Sequence, residues 1–500
     1  LIEDNEGTPV VNLDQADGIG AQIVEGGDLV FGITMSGTSD EDVTVNWSMT
    51  LNGSAEAGDL TDPVVYSGSV VIPAGSTTGS ITIPTFDDSL FEGGAGSFED
   101  LTMTLTSASG ADLGSTTSVT GLIEDNEGTP VVNLDQADGI GAQIVEGGDL
   151  VFGITMSGTS DEDVTVNWSM TLNGSAEAGD LTSPIVYSGS VVIPAGSTTG
   201  SITIPTFDDS LFEGGAGSFE DLTMTLTSAS GADLGSTTSV TGLIEDNEGT
   251  PVVNLDQADG IGAQIVEGGD LVFGITMSGT SDEDVTVNWS MTLNGSAEAG
   301  DLTDPVVYSG SVVIPAGSTT GSITIPTFDD SLFEGGAGSF EDLTMTLTSA
   351  SGADLGSTTS VTGLIEDNEG TPVVNLDQAD GIGAQIVEGG DLVFGITMSG
   401  TSDEDVTVNW SMTLNGSAEA GDLTDPVVYS GSVVIPAGST TGSITIPTFD
   451  DSLFEGGAGS FEDLTMTLTS ASGADLGSTT SVTGLIEDNE GTPVVNLDQA

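Results

Sequence analysis

The only side chains of this sequence charged at neutral pH are carboxylates. Seventy-nine Asp and Glu stand against no Lys, Arg, His or Cys in 500 residues, a formal charge of −79. Carboxylates alone support two kinds of chemistry. A pair can act as acid and base on a glycosidic bond, and a group can hold a hard divalent cation, Ca²⁺ before Mg²⁺, because Mg²⁺ prefers few carboxylates and retained water. A catalytic triad, a Schiff base, a thiol nucleophile and a cationic clamp all lack their residues. Carboxylate pairs repeated identically along a chain, with a simpler use as cation ligands, predict a protein that is not an enzyme. Nucleic acid and anionic membrane are excluded as partners because both are bound through Lys and Arg. No apolar run approaches the ~20 residues of a membrane span, and the missing Cys removes a disulfide framework.

The acids recur at a fixed spacing. LIEDNEGTPVVNLDQA begins at Leu1, Leu122, Leu243, Leu364 and Leu485, a period of 121 residues. That period is a domain, too long for a solenoid turn. Four repeats follow at 8–128, 129–249, 250–370 and 371–491, with 1–7 expected as the tail of a preceding repeat and 492–500 as the start of another. Only the second repeat departs, with Ser183 and Ile185 where the first has Asp62 and Val64.

Strands must carry these acids, because apolar residues alternate at period two. Leu29, Phe31, Ile33 and Met35 form one such set, and Val43, Val45, Trp47, Met49 and Leu51 another. Further strands run through Pro9–Leu13, Val70 and Ile72, Ile81 and Ile83, Leu101 to Leu105, and Val119 to Ile123. Seven strands between Gly, Pro, Ser and Asp clusters predict an all-β chain, a tandem array of immunoglobulin-like sandwiches with Trp47 in the core of the third strand. In such a sandwich the first, third and fifth connections and the end of the last strand share one pole. That pole collects Asp14, Asp17, Glu25, Asp28, Glu56, Asp59, Asp62, Asp87, Asp88, Glu92, Glu99, Asp100, Glu124, Asp125 and Glu127, leaving Asp40, Glu41, Asp42 and Asp112 for the other. The plainer reading is that loops are acidic because the surface is. Against it, two carboxylates ~4 Å apart repel by roughly 1 kcal/mol in water and about 4 at an effective dielectric of 20, and no cationic side chain exists to relieve them.

These segments resemble the Calx-β domain family. The resemblance rests on IVEGG at Ile23, GSAEAGDL at Gly53, SGSVVIPAGSTTGSITI at Ser67, FDDSLFEG at Phe86, FEDLTMTL at Phe98 and the acidic run at Glu124. It implies Ca²⁺ as the bound ion, with ligands at Glu25, Asp59, Asp87, Asp88, Glu92, Glu124 and Asp125. The same positions in the second repeat are Glu146, Asp180, Asp208, Asp209, Glu213, Glu245 and Asp246. In the third they are Glu267, Asp301, Asp329, Asp330, Glu334, Glu366 and Asp367, and in the fourth Glu388, Asp422, Asp450, Asp451, Glu455, Glu487 and Asp488. The sequence departs from the family pattern at Leu60, where a Tyr is expected, and at Asn126, which interrupts a run of aspartates. It departs again at Gly93, Gly94 and Ala95, where a second acid is expected and Glu99 or Asp100 stands nearby.

Two other motifs carry less. GGAGSFED at Gly93 resembles a Ca²⁺-binding nonapeptide, but Phe98 stands where its Asp belongs. Asn46-Trp47-Ser48 and Asn52-Gly53-Ser54 fit the N-glycosylation pattern and read equally as a strand Ser and a turn. The composite expectation is an extracellular or cell-surface structural spacer: the stalk of a giant secreted adhesin or biofilm-matrix protein, stiffened by Ca²⁺. Its partners would be the neighbouring repeats of the same chain. A second expectation sets identical chains side by side in a filament or sheath. A third is a calcium sensor, against which identical copies argue.

Overall fold

The computed structural model describes residues 6–93, 96–214, 218–335, 339–456 and 459–496. Residues 1–5 of the expected preceding tail and 497–500 of the expected following start lie outside the described residues. The chain divides into two compact units, Leu1–Ser210 with Gly214–Gly249, and Leu211–Glu213 with Thr250–Ala500.

The first repeat contains β1 (Val10–Leu13), β2 (Ile19–Val24), β3 (Asp28–Met35), β4 (Val43–Leu51), β5 (Ser67–Ile72), β6 (Thr78–Pro84), β7 (Leu90–Phe91), β8 (Phe98–Ser109), β9 (Asp112–Leu113) and β10 (Ser118–Glu124). A four-stranded sheet, β6-β3-β1-β9, faces a five-stranded sheet, β2-β10-β8-β4-β5. The same two-sheet pattern recurs in the other three repeats, so the chain is an all-β tandem array of sandwiches. Apolar residues at alternate positions bury one face of the central strands: Leu29, Phe31, Ile33 and Met35 of β3 and Val43, Val45, Trp47 and Met49 of β4 are buried between exposed or half-buried neighbours. Phe31, Leu29, Ile33, Met103 and Trp47 meet in the core, with Phe31 fully buried and Trp47 8% exposed. Strand β10 crosses so close to this cluster that a Cβ on Gly121 would lie 2.5 Å from Phe31 Cζ.

The first strand is not one strand. It splits, with β1 antiparallel to β3 in one sheet and β2 parallel to β10 in the other. The crossover turns on Asp17 and Gly18, at φ 52° and 88°, a left-handed pair that Asp and Gly tolerate best. This corrects the expected placement of Asp14 and Asp17 at the acidic pole. Leu13 pairs with Ile33, and the Asp14 N–H donates to Gly32 O at 2.9 Å, midway along β3. Both acids therefore lie at mid-height, beside the crossover.

Candidate metal centre

The end of each sandwich where β2 and β10 finish gathers the remaining carboxylates. Parallel pairing of these strands runs to Val24 opposite Glu124, and the Glu25 N–H then donates to Glu124 O at 3.1 Å. That places Glu25 against the chain leaving β10. One carboxylate oxygen from each of Glu25, Asp125 and Glu127 lies within 4.8 Å of the others. A second triplet, Asp59, Glu92 and Glu99, is equally tight. Asp125 joins the two: its Oδ1 accepts the Glu127 N–H at 2.9 Å and its Oδ2 the Glu92 N–H at 3.0 Å.

Asp87 and Asp88 flank these triplets. Gly26, at φ +74°, packs on Asp87 so closely that a Cβ there would lie 2.7 Å from Asp87 Cβ. Asp87 Oδ1 in turn accepts from Asn126 Nδ2 at 3.0 Å. In the second repeat the equivalent Asp208 is itself within the triplet distance, with Glu146 and Glu248. Asp88 Oδ1 accepts the Leu90 N–H at 2.7 Å, fixing the turn into β7. Related triplets form from Asp180, Glu213 and Glu220 and from Glu267, Asp367 and Glu369.

Glu124 is placed differently from what the resemblance implies. Val119, Gly121 and Ile123 alternate as the buried residues of β10, so Ile123 and then Asp125, 6% exposed, face inward while Glu124 faces outward with Leu122. The strands ending in Glu245, Glu366 and Glu487 show the same pattern. At these four positions the backbone carbonyl accepts the amide N–H of Glu25, Glu146, Glu267 or Glu388. Conversely, Glu127 and Glu99 complete the triplets without belonging to the implied set. Alternation along β8 was the available signal, since Glu99 shares the inward face with Leu101 and Met103 whereas Asp100 is on the outer one. Asp100 needs no cation. Ser54 Oγ, at 2.6 Å, and Asn52 Nδ2, at 2.9 Å, donate to its carboxylate and hold its pKa below the ordinary value.

The triplets carry the opposite signature. Burial, then the Asp59 carboxylate, pushes Glu99 up to about 9. Burial and the charges of Asp59, Asp88 and Glu25 take Glu92 to about 8. Burial with Glu25 and Asp125 takes Glu127 to about 8. Oε2 of Glu99 and of Glu127 is buried with no hydrogen-bond partner, and so is Oε2 of Glu341 and of Glu369 in the second unit. A buried acceptor without a donor costs on the order of 1–3 kcal/mol, more when charged, and the sequence supplies no cationic donor. Two oxygens bound to one Ca²⁺ at about 2.3–2.6 Å can stand up to roughly 5 Å apart, so each triplet fits around one such ion. The arrangement could hold a cation through hard oxygens.

No protein-family model matches this sequence, and no curated protein matches it. Solved structures similar to it include CBD12 from CALX1.2, at 13% identity and TM-score 0.22 over 47% of this chain and 100% of that one. The calcium binding domain CBD12 of CALX1.1 is similar at 14% identity and TM-score 0.22, over 47% of this chain and 99% of that one. The apo-form Calx CBD1 domain is similar at 20% identity and TM-score 0.20, over 24% of this chain and 98% of that one.

Proposed function

We propose that the chain is a structural extender, an array of sandwich repeats stiffened by Ca²⁺ at the acidic poles and at the junctions between repeats. It would act as the stalk of a large secreted protein, an adhesin or a component of a biofilm matrix, and would have no catalytic role. The observation that carries the reading is the pair of carboxylate triplets at the acidic pole of the first repeat, found again in the second, with buried, unpartnered oxygens on Glu99 and Glu127 in a chain of charge −79 that has no Lys or Arg. An ion supplied by the medium converts this repulsion into ligation, and extracellular Ca²⁺ is the abundant ion with the matching preference for oxygen. The direct test is calcium titration of the stripped chain by calorimetry at low ionic strength. Saturable binding is expected, and its absence would remove the reading.

The sheet faces favour a second arrangement, lateral association of identical chains. The outward residues of β4, Thr44, Asn46, Ser48 and Thr50, and of β8 past Asp100, Thr102 and Thr104, carry no charge, and Asp100 and Glu124 stand at the acidic end of that face. Such faces can approach a second copy with little repulsion. Particle widths in electron micrographs at matched Ca²⁺ separate single strands from bundles.

A further inference from the structure

Successive repeats within a unit are held by a short clasp. In the first unit Leu90–Phe91 pairs in parallel with Thr159–Ser160 of the next repeat. Thr159 Oγ1 donates to Ser89 O at 3.0 Å, and the Asp161 N–H donates to Phe91 O at 3.2 Å. The second unit repeats this arrangement, with Leu332–Phe333 against Thr401–Ser402 and the Asp403 N–H on Phe333 O at 3.3 Å. The clasp lies one residue before Glu92 in one chain segment and one residue before Asp161 in the other. It therefore sets the acid of the following repeat opposite the second triplet.

Between them, in the first unit, is a chamber of about 690 Å³ whose walls include Asp59, Glu92 and Glu99 on one side and Asp161 on the other. Glu99 is 8% exposed, lines this chamber, and keeps Oε2 without a hydrogen-bond partner. Glu341 repeats that state in the second unit, also 8% exposed with an unpartnered Oε2. Asp161 stays open to the chamber, and its charge adds to the upward push on both Glu92 and Glu99. Asp403 does the same to Glu334 and Glu341.

The geometry points to a cation site shared by two repeats: Asp59, Glu92 and Glu99 hold a Ca²⁺ whose coordination Asp161 of the following repeat completes, directly or through a bound water, with Asp403 serving Asp301, Glu334 and Glu341. The ion takes roughly six to eight oxygens, more than three monodentate carboxylates supply, and the chamber has room for the waters that make up the number. The Glu25, Asp125 and Glu127 triplet is built within one repeat, so the chain would hold two kinds of site. Only the shared one makes ion binding and repeat docking the same event. This rests on the calcium reading above.

The experiment is calcium titration of the full chain, stripped of metal, by calorimetry at low ionic strength. The D161N/D403N variant should weaken about two site equivalents by tenfold or more and leave the remaining class unchanged. The D17N/D259N variant removes the same charge at mid-height, away from the chamber, and should change affinity less than twofold. If D161N/D403N titrates like the unmodified chain, or if D17N/D259N loses as much, the shared site is overturned while calcium binding stands. If the unmodified chain binds no calcium saturably, both fall.

Discussion

Leu90–Phe91 and Leu453–Phe454 are the same dipeptide in the same sequence context, with different neighbours. In the first repeat, followed by a second, the dipeptide is a strand and Phe91 is 8% exposed. In the fourth repeat, with no further repeat among the described residues, it forms no strand, Leu453 is 63% exposed and Phe454 is only half-buried. The carboxylates beside it follow. Glu99 is buried, whereas Glu462 is half-buried. Glu92 is driven to about 8, whereas Glu455 is raised by burial and by Asp422 but partly relieved by Glu462. The other triplet does not notice the difference, since Asp488 is as buried as Asp125, both 6% exposed, and Glu388 is buried too. The second triplet still holds together in the fourth repeat, where burial and Asp422 push Glu462 up to about 9, so the following repeat deepens the burial of this triplet and leaves the other one unchanged. Two residues of strand, formed only against a neighbour, account for the distinction.

Chelation should have the largest effect, because it removes the ion from both kinds of site. Ligand at 100 times its Kd stabilises by about 2.7 kcal/mol per site, and 1 kcal/mol moves the melting temperature of a domain near this size by roughly 4–8 °C. Scanning calorimetry in EDTA should therefore show melting at least about 10 °C below that in Ca²⁺. An unchanged melting temperature at low salt breaks the comparison at its root.

Phe91→Ala should come next. Truncating a buried Phe costs about 3–5 kcal/mol in a well-packed core, and a clasp at a domain edge should lie at or below the lower limit. Phe454→Ala removes a half-buried ring with no partner repeat among the described residues and should cost about 1 kcal/mol or less. Hydrogen exchange at residues 89–92 should rise with the first change, while 452–455 exchanges fast in the unmodified chain. Equal costs would mean that the ring serves its own repeat and not the junction.

Proton linkage is expected to be smaller and to distinguish the two states of the site. Glu92 and Glu127 sit near 8 and Glu99 near 9 in the metal-free fold, against an ordinary 4.5. A carboxylate with its folded pKa raised binds more protons folded than unfolded in the intervening range, so its contribution favours folding at low pH and is lost as pH climbs through the folded value. In EDTA, stability should accordingly fall between about pH 5 and pH 9. In saturating Ca²⁺ that slope should flatten, because ligation requires the ionised form and expels the proton. Calcium titrations at pH 7 in buffers of different ionisation enthalpy should report net proton release, and release of none would mean the triplets are already ionised without metal.

Much of this was legible in the chain. The period, the strands and the acidic pole follow from exact repetition and from alternation of apolar residues such as Leu29, Phe31 and Ile33, all local patterns. The split of the first strand was missed because its signal is a two-residue left-handed turn, Asp17-Gly18, inside an otherwise continuous polar stretch. The clasp could not be read at all. A two-residue strand has no periodicity, and Leu90–Phe91 becomes one only against Thr159–Ser160 of another repeat. The sorting of acids at strand ends stands between these cases. Family resemblance implies both Glu124 and Asp125, while the alternation that places Ile123 inward keeps Asp125 and turns Glu124 outward.

That sorting gives the smallest predicted effect and the finest test. Glu124 and Asp125 are adjacent, equally acidic and equally near the pole, so a diffuse cloud of counterions would feel either loss alike. The structure separates them by strand parity. Asp125 Oδ1 and Oδ2 hold the Glu127 and Glu92 amides and join the two triplets, whereas Glu124 lies on the outer sheet face with its carbonyl on the Glu25 amide. Asp125→Asn should weaken calcium binding in the first repeat by at least about tenfold, the loss of a charged ligand being worth about 1.4 kcal/mol or more. Glu124→Gln keeps the carbonyl and the strand pairing, and should change affinity less than about twofold at 0.15 M salt, where a charge outside the coordination sphere is screened over ~8 Å. Calorimetric titration of the two variants of the full chain decides the matter. If Glu124→Gln matches Asp125→Asn, strand parity does not govern ligation at this pole. The outer carboxylate would then have to reach the ion around the end of β10.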